Sequence, residues 1–427
     1  MSFRPPTADP GELATMRMAR GAGVVLAGAL VVTTAVMGAS AAAAAPAGGA
    51  VSWSPPLVGE AAGIVVSGRT ARLAPDRART GSARTDGHGD SRAPGLLTLP
   101  ARRVDTPVDR VDAELTLAAG SPAAAASIDV RGRRSGGQWT EWEPAAPTNR
   151  EPSATRTLTA TLPRPVDVVQ ARLVLTPSTW AGPGPVVRDL TLTAHTAARN
   201  EATAAKREPR RHRVFATREG LVGGTTANGH VVTERDLFVA LPSRRALAPR
   251  DSSDYAVKVC APTGRCAFAP VWDVGPWNTR DDYWNPSDKR QEWQDLPRGL
   301  PQAQAAKQDG HNGGKDQFGR TVLNPAGIDL ADGMFWDALG LKDNAWVTVD
   351  YLWTGDSPLG TVRADGRVDL RSGPDAKARV VGLAADRAAV PLQCVSGSWL
   401  RVGAGQFLPA SAVPRRQWPD RLAACPR

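Results

Sequence analysis

From about Val51 to Thr196, apolar and polar positions alternate in short runs separated by Pro, Gly and Ser, the period-two pattern of strands with one buried face. The clearest runs are Val111 to Leu117, Ser127 to Arg131, Thr157 to Leu162, Val168 to Thr176 and Val186 to Ala194. Together they predict an all-β sandwich over 51–196. Within it, 76–94 is rich in Arg, Gly and Ser and has no apolar period, so it reads as a mobile loop. Trp139-Thr-Glu-Trp142 sets two aromatics on one strand face. Such a pair can stack on a sugar, although packing in a core or at an edge is the commoner use. The following stretch, 197–213, ends in Lys206-Arg-Glu-Pro-Arg-Arg-His-Arg213, carries charge without an apolar face, and reads as a linker.

A second domain is expected over 214–353. Its predicted strands are Leu237 to Leu241, Tyr255 to Cys260, Cys266 to Trp272 and Ala345 to Trp353, with a short helix around Met334 to Leu339. The helix rests on Phe335, Trp336 and Leu339 falling on one side, with Gly340 as a stop. Between the third strand and the helix, Thr279 to Pro325 reads as a long, wet insertion, and such loops in a compact domain are usually functional or disordered. Asp309, Asn312 and Asp316 invite a calcium reading, but their spacing misses the regular calcium loop and no bidentate Glu follows. A third domain over 359–426 has short strands at Val368 to Leu370, Val380 to Leu383, Ala389 to Cys394 and Trp399 to Val402, joined by turn residues as in a small β-barrel.

Two carboxylates stand out in the second domain. Asp273 follows the apolar run Phe268 to Trp272 and precedes Gly275-Pro276, so it sits where a strand ends and a loop begins; Asp329 lies in Gly327-Ile-Asp-Leu-Ala331. Two acids held at one cleft can divide acid and base roles if their surroundings separate their pKa values, as glycoside cleavage requires. The structural alternatives are that Asp273 caps backbone amides after its strand and that Asp329 caps the following helix, for which Asp332 is at least as good a candidate. Trp272, Trp277, Tyr283, Trp284 and Trp293 cluster beside the first corner. Trp277, Asn278, Tyr283 and Trp284 are the expected sugar-binding side chains, whereas Trp272, on the strand, is expected in the core.

At 427 residues the chain is too long for one ordinary domain, and three domains is the expected count. Arg17 and Arg20, an uncharged stretch from Gly21 to Gly38 and the small-residue run Ser40 to Ala45 read as a signal peptide over 1–45, with a membrane anchor as the alternative. An exported chain meets an oxidising setting, where four Cys allow three pairings. Cys260 and Cys266 flank a turn-forming stretch that would bring them together across a hairpin, leaving Cys394 for Cys425. Metal binding is the weaker alternative, because no CxxC pair occurs and the five His are scattered. The formal charge of +10 suggests attraction to polyanions. Export argues against nucleic acid and favours anionic wall polymers, and an Arg-rich composition from a GC-rich genome explains the charge equally well.

The second domain resembles the double-psi β-barrel of the rare lipoprotein A family, shared with expansins and their endoglucanase relatives. The matching pieces occur in the family's order: Thr226-Ala-Asn-Gly229, Phe238-Val-Ala-Leu-Pro242, Val271-Trp-Asp-Val-Gly-Pro276, Ile328-Asp-Leu-Ala331 with the Phe-Trp-x-Ala-Leu-Gly helix, and the strand Ala345 to Leu352. Active members cut or loosen glycan chains, chiefly peptidoglycan or cellulose. The resemblance implies that Asp273 matches the general acid of the family's lytic transglycosylases and Asp329 the acid kept by the expansin branch. One departure is that Phe238 stands where those transglycosylases have a catalytic His, and no His is close to it in sequence; the large insertion and the lack of a lipid-bearing Cys are others. The third domain resembles bacterial Src-homology-3-like domains, through Leu370-Arg-Ser-Gly-Pro374, Val380-Val-Gly382 and Trp399-Leu-Arg-Val-Gly403. That family commonly docks enzymes onto wall peptides.

The expectation is thus a mainly β, exported, monomeric protein: an N-terminal β-sandwich, a central double-psi β-barrel and a C-terminal Src-homology-3-like barrel. It would need no cofactor or metal, keep no membrane anchor after processing, and act on or bind peptidoglycan or another wall polysaccharide. Asp273 and Asp329 would carry lytic transglycosylase chemistry; the alternative is a non-catalytic, expansin-like wall-binding or wall-loosening module.

Overall fold

The computed structural model describes residues 49–75, 94–148, 154–177, 184–197, 207–250 and 252–426. The expected signal peptide, nearly all of the Arg-, Gly- and Ser-rich run and most of the expected linker lie outside the described residues. The protein is mainly β, as its alternating pattern predicts. In the N-terminal region an 11-stranded sheet surrounds a single apolar core. The predicted runs Thr157 to Leu162 and Val168 to Thr176 turn out to be one strand, Thr155–Leu175. Its first half pairs with Arg102–Leu117, and its second half with Ala126–Arg133 and Gly95–Thr98. Alternate residues along much of these strands, including Val111, Ala113, Leu115, Leu158, Ala160 and Leu173, are buried in that core.

Six strands of the central region close into a ring: Arg210–Arg218, Val239–Leu241, Ala256–Cys260, Cys266–Val274, Ala326–Leu330 and Ala345–Tyr351. Val239–Leu241 closes it, pairing in parallel with Cys266–Val274 on one side and antiparallel with Ala326–Leu330 on the other. A second parallel pair joins Arg210–Arg218 to Ala326–Leu330. Ala256–Cys260 and Cys266–Val274 form a hairpin whose ends are joined by the Cys260–Cys266 disulfide, and a second bridge joins Cys394 to Cys425. The first strand begins inside the stretch read as a linker. Its charged residues are compatible with a strand because the outward positions find partners: Arg211 pairs with Asp350, and the Arg213 guanidinium lies 4.7 Å over the Trp346 ring.

The insertion is also not the wet loop its composition suggested. Asp281 and Arg290 form an ion pair that is almost fully buried, and Tyr283 Oη donates to Gly327 O at 2.8 Å. Helix Gln302–Asp309 lays Ala303 and Ala306 against Trp277, Val322 and Ala326, and ends at Gly310, whose φ of 71° supplies the left-handed cap. Asp316 accepts from the amides of Phe318 and Arg320, both at 2.9 Å, and pairs with the Arg320 side chain. The short helix of the barrel is a π-helical turn, Gly333–Ala338. It buries Phe335 and Leu339, but Trp336, expected on the same side, is exposed between the guanidinium groups of Arg218 and Arg235.

The three regions are joined through sheet and core. In the C-terminal region, Val380–Ala385 adds in parallel to the edge of Cys266–Val274, from Cys266 opposite Gly382 to Phe268 opposite Ala384. A Cβ at Gly382 would lie 1.7 Å from Cys266 O, so only glycine allows this approach. From the N-terminal region, Trp142 enters the barrel core, held between the guanidinium groups of Arg131 and Arg172, each 4.3 Å from a Trp142 ring. Beside it Glu141 accepts from Trp284 Nε1 at 2.7 Å, Trp353 Nε1 at 2.9 Å and Asn285 Nδ2 at 2.7 Å, and lies 3.4 Å from Arg245.

His212, on the first barrel strand, is packed 5.9 Å from the Tyr351 ring and against the Gly299 backbone. Burial, together with the charges of Arg298 and Arg210, pushes its pKa down to about 4. An unfolded His takes up its proton near pH 6.5, the folded one only near 4, so acidification through this window favours unfolding. Thermal melts across pH 7 to 4 are expected to show the wild type losing stability faster than His212→Gln; parallel curves would contradict this.

Candidate functional site

Asp273 and Asp329 come from different strands, and the strand Val239–Leu241 lies between them. Ala240 pairs with Asp273 on one side and with Asp329 on the other, while Thr217 pairs with Asp329 one strand further on. The four residues Thr217, Asp329, Ala240 and Asp273 therefore form one row across four strands. With one strand between them, the two acidic Cα atoms stand roughly 10 Å apart.

The row exists because of two irregularities in register. Residues Val271 and Val239 are paired, as are Asp273 and Ala240, so Trp272 is an extra residue; likewise Gly327 is extra between the Ala326 and Ile328 pairings. Val239, Leu241, Val271, Ile328 and Leu330 all face the barrel core. The bulge at Trp272 turns Asp273 onto the same side as Ala240, away from that core. Asp329, between Ile328 and Leu330, faces that side as well.

Each acid is anchored. Asp273 Oδ1 accepts from Ala227 N at 2.7 Å and from Val274 N at 2.8 Å, and Asp329 Oδ1 accepts from the Thr217 hydroxyl. Position Gly275 approaches Asp329, since a Cβ there would be 3.7 Å from its Oδ2. The acids are 4% and 3% exposed, so the row is covered rather than open. The cap over Asp273 is the turn Thr226-Ala-Asn-Gly229. Thr226 Oγ1 donates to Asn228 Oδ1 at 2.8 Å, Asn228 Nδ2 to Ala248 O at 3.1 Å, and Gly229 has a φ of 89°. Asp273 is thus an amide-capping acid as well as a candidate for chemistry. Asp329 is not a helix cap: Asp332 occupies that position, and its side chain pairs with Arg218 at 3.0 Å.

The side chains expected along a sugar groove are placed otherwise. Trp277 is 5% exposed, and Asn278, Tyr283 and Trp284 no more than 1%. Trp277 Nε1 donates to Asn324 Oδ1 at 3.0 Å, Asn278 bonds Gln302 and the Gln317 amide, and Trp284 serves Glu141. They hold the insertion against the barrel. A clustered aromatic run is equally the signature of a segment that must be nailed down.

Sequence reasoning missed His230. Phe238 is fully buried, and the His230 ring is 6.0 Å from it and 4.7 Å from Trp272. Its Nε2 bonds Asp236 Oδ2 at 2.7 Å. The turn that caps Asp273 carries His230 there, and nothing in the spacing of the two residues discloses the contact.

A family model described as a domain of unknown function, DUF8814, matches residues 210–350, from the start of the first barrel strand almost to the end of the last. No curated protein matches the chain.

Asp273→Ala is expected to strand the amides of Ala227 and Val274, costing roughly 2–4 kcal/mol in urea unfolding, whereas Asp273→Asn keeps an oxygen acceptor and costs less. Equal losses for the two variants would remove the capping role.

Proposed function

We propose that the protein is an exported component of the bacterial cell wall whose barrel acts on peptidoglycan glycan strands as a lytic transglycosylase. The observation that carries this reading is the row Thr217–Asp329–Ala240–Asp273, which brings the two sequence-distant acids onto one face of the barrel. The closed ring with two parallel pairs supports the double-psi reading, and the two disulfides suit an oxidising compartment. In this chemistry one acid protonates the glycosidic oxygen as its bond to the anomeric carbon breaks. A hydroxyl of the same muramyl residue attacks that carbon, forming the anhydro ring, and its proton returns to the acid. The other carboxylate stabilises the positive charge that develops on the sugar. Water takes no part.

A second reading, a non-catalytic wall-binding or wall-loosening module, is favoured by Phe238 at the His position and by the near-complete burial of both acids. Incubation of the purified protein with peptidoglycan, read by mass spectrometry and by pelleting, separates the two. Anhydro-muramyl products from the wild type, lost in Asp273→Asn while pelleting persists, are the expected result. Pelleting without products leaves the binding module, and neither products nor pelleting overturns both.

A further inference from the structure

A cleft of about 990 Å³ lies where the N-terminal region meets the barrel and its insertion. Neither acid of the Thr217–Asp273 row lines it. Seven basic and four acidic side chains do, and two further acids outside the lining, Asp281 and Asp282, pair with Arg290 and Arg245, leaving a small positive excess. Several of the basic groups are neutralised in place. Arg207 forks onto Asp356 at 3.2 and 3.1 Å, Arg245 pairs with Glu143 and Asp282, and Arg290 with Asp281. Arg164 and Arg210 differ. Their hydrogen-bond partners are neutral: Arg164 donates to Gln138 O at 2.8 Å, and Arg210 to Asn285 Oδ1 and, through its backbone amide, to Thr354. Arg164 Nε is buried without a partner.

These two guanidinium groups are held in an unfavourable place. Burial, together with Arg207 and Arg134, lowers the pKa of Arg164 against the attraction of Asp356; burial, together with Arg298, Arg207 and Arg245, lowers that of Arg210 against the attraction of Glu141. Gathering like charges in a half-buried cleft destabilises the free protein unless an anion neutralises them. Planar guanidinium forks match phosphate and carboxylate oxygens in pairs. Trp139, Trp353, Pro163 and Pro165 add apolar wall, which suits a ligand with an organic frame between its charges.

We propose that this cleft is a binding site for a multivalent oxyanion, an organic compound or polymer segment bearing at least two phosphate groups, with Arg164 and Arg210 as its principal contacts. The site is independent of the carboxylate row, and its test does not depend on wall chemistry.

Isothermal titration of the purified protein with glucose 1,6-bisphosphate and with tripolyphosphate, in low salt, reads binding directly. At least one probe is expected to bind, with an affinity that falls as salt rises, and Arg164→Gln/Arg210→Gln is expected to weaken it at least about tenfold. The exposed pair Lys342→Gln/Lys377→Gln removes the same charge elsewhere and is expected to change affinity by less than about twofold. If the double Arg variant melts early, Arg164→Lys keeps the charge but loses the fork, and a several-fold weakening is expected. Failure of both probes to bind the wild type at millimolar concentration, or an equal loss in the Lys control, overturns the proposal.

Discussion

The fold depends on one buried carboxylate that belongs to one region and serves another. Glu141 comes from the N-terminal region, yet its hydrogen-bond donors, Trp284, Asn285 and Trp353, and its cation, Arg245, all belong to the central region and its insertion. Burial alone would raise the pKa of this carboxyl, but Arg245 and the three N–H donors outweigh that and hold it below its ordinary value. A charge taken out of water costs several kcal/mol unless it is fully partnered, so Glu141 tolerates no rearrangement of the segments that partner it. Trp142, next in the chain, adds apolar area to the barrel core at the same point. Through these two residues the N-terminal region fixes the insertion, and the insertion in turn covers one side of the barrel.

The carboxylate row follows from the same economy of space. Two bulges bring Thr217, Asp329, Ala240 and Asp273 into line, and a turn closes over Asp273 with its Ala227 amide. An acid that accepts two amides is part of the wall's framework, and it holds a fixed position in any reaction at that face. Framework and chemistry are not rivals at such a position, because a group that must be placed precisely is placed by hydrogen bonds.

Much of this was legible in the sequence where residue pattern and burial agree. Alternation located the strands, the short spacing of Cys260 and Cys266 disclosed a hairpin, and the corner after Val271 placed Asp273 at a strand end. Most of the failures share one physical cause. Hydropathy equates charge with water, but Asp281 with Arg290, and Glu141 with Arg245, are charges buried in pairs, and pairing between distant residues leaves no periodic trace. The strand from Arg210 was hidden in the same way, because its partners Asp350 and Trp346 lie far along the chain. His230 escaped because a turn, not a strand, carries it to Phe238.

A double-mutant cycle on Glu141→Gln and Arg245→Gln, followed in urea by tryptophan fluorescence and by far-ultraviolet circular dichroism, tests the dependence of the fold on this contact. A coupling energy above about 1 kcal/mol, with both probes reporting one coincident transition in the wild type, is the expected result. Additive losses within about 0.5 kcal/mol, together with separate transitions for the two probes, would contradict it.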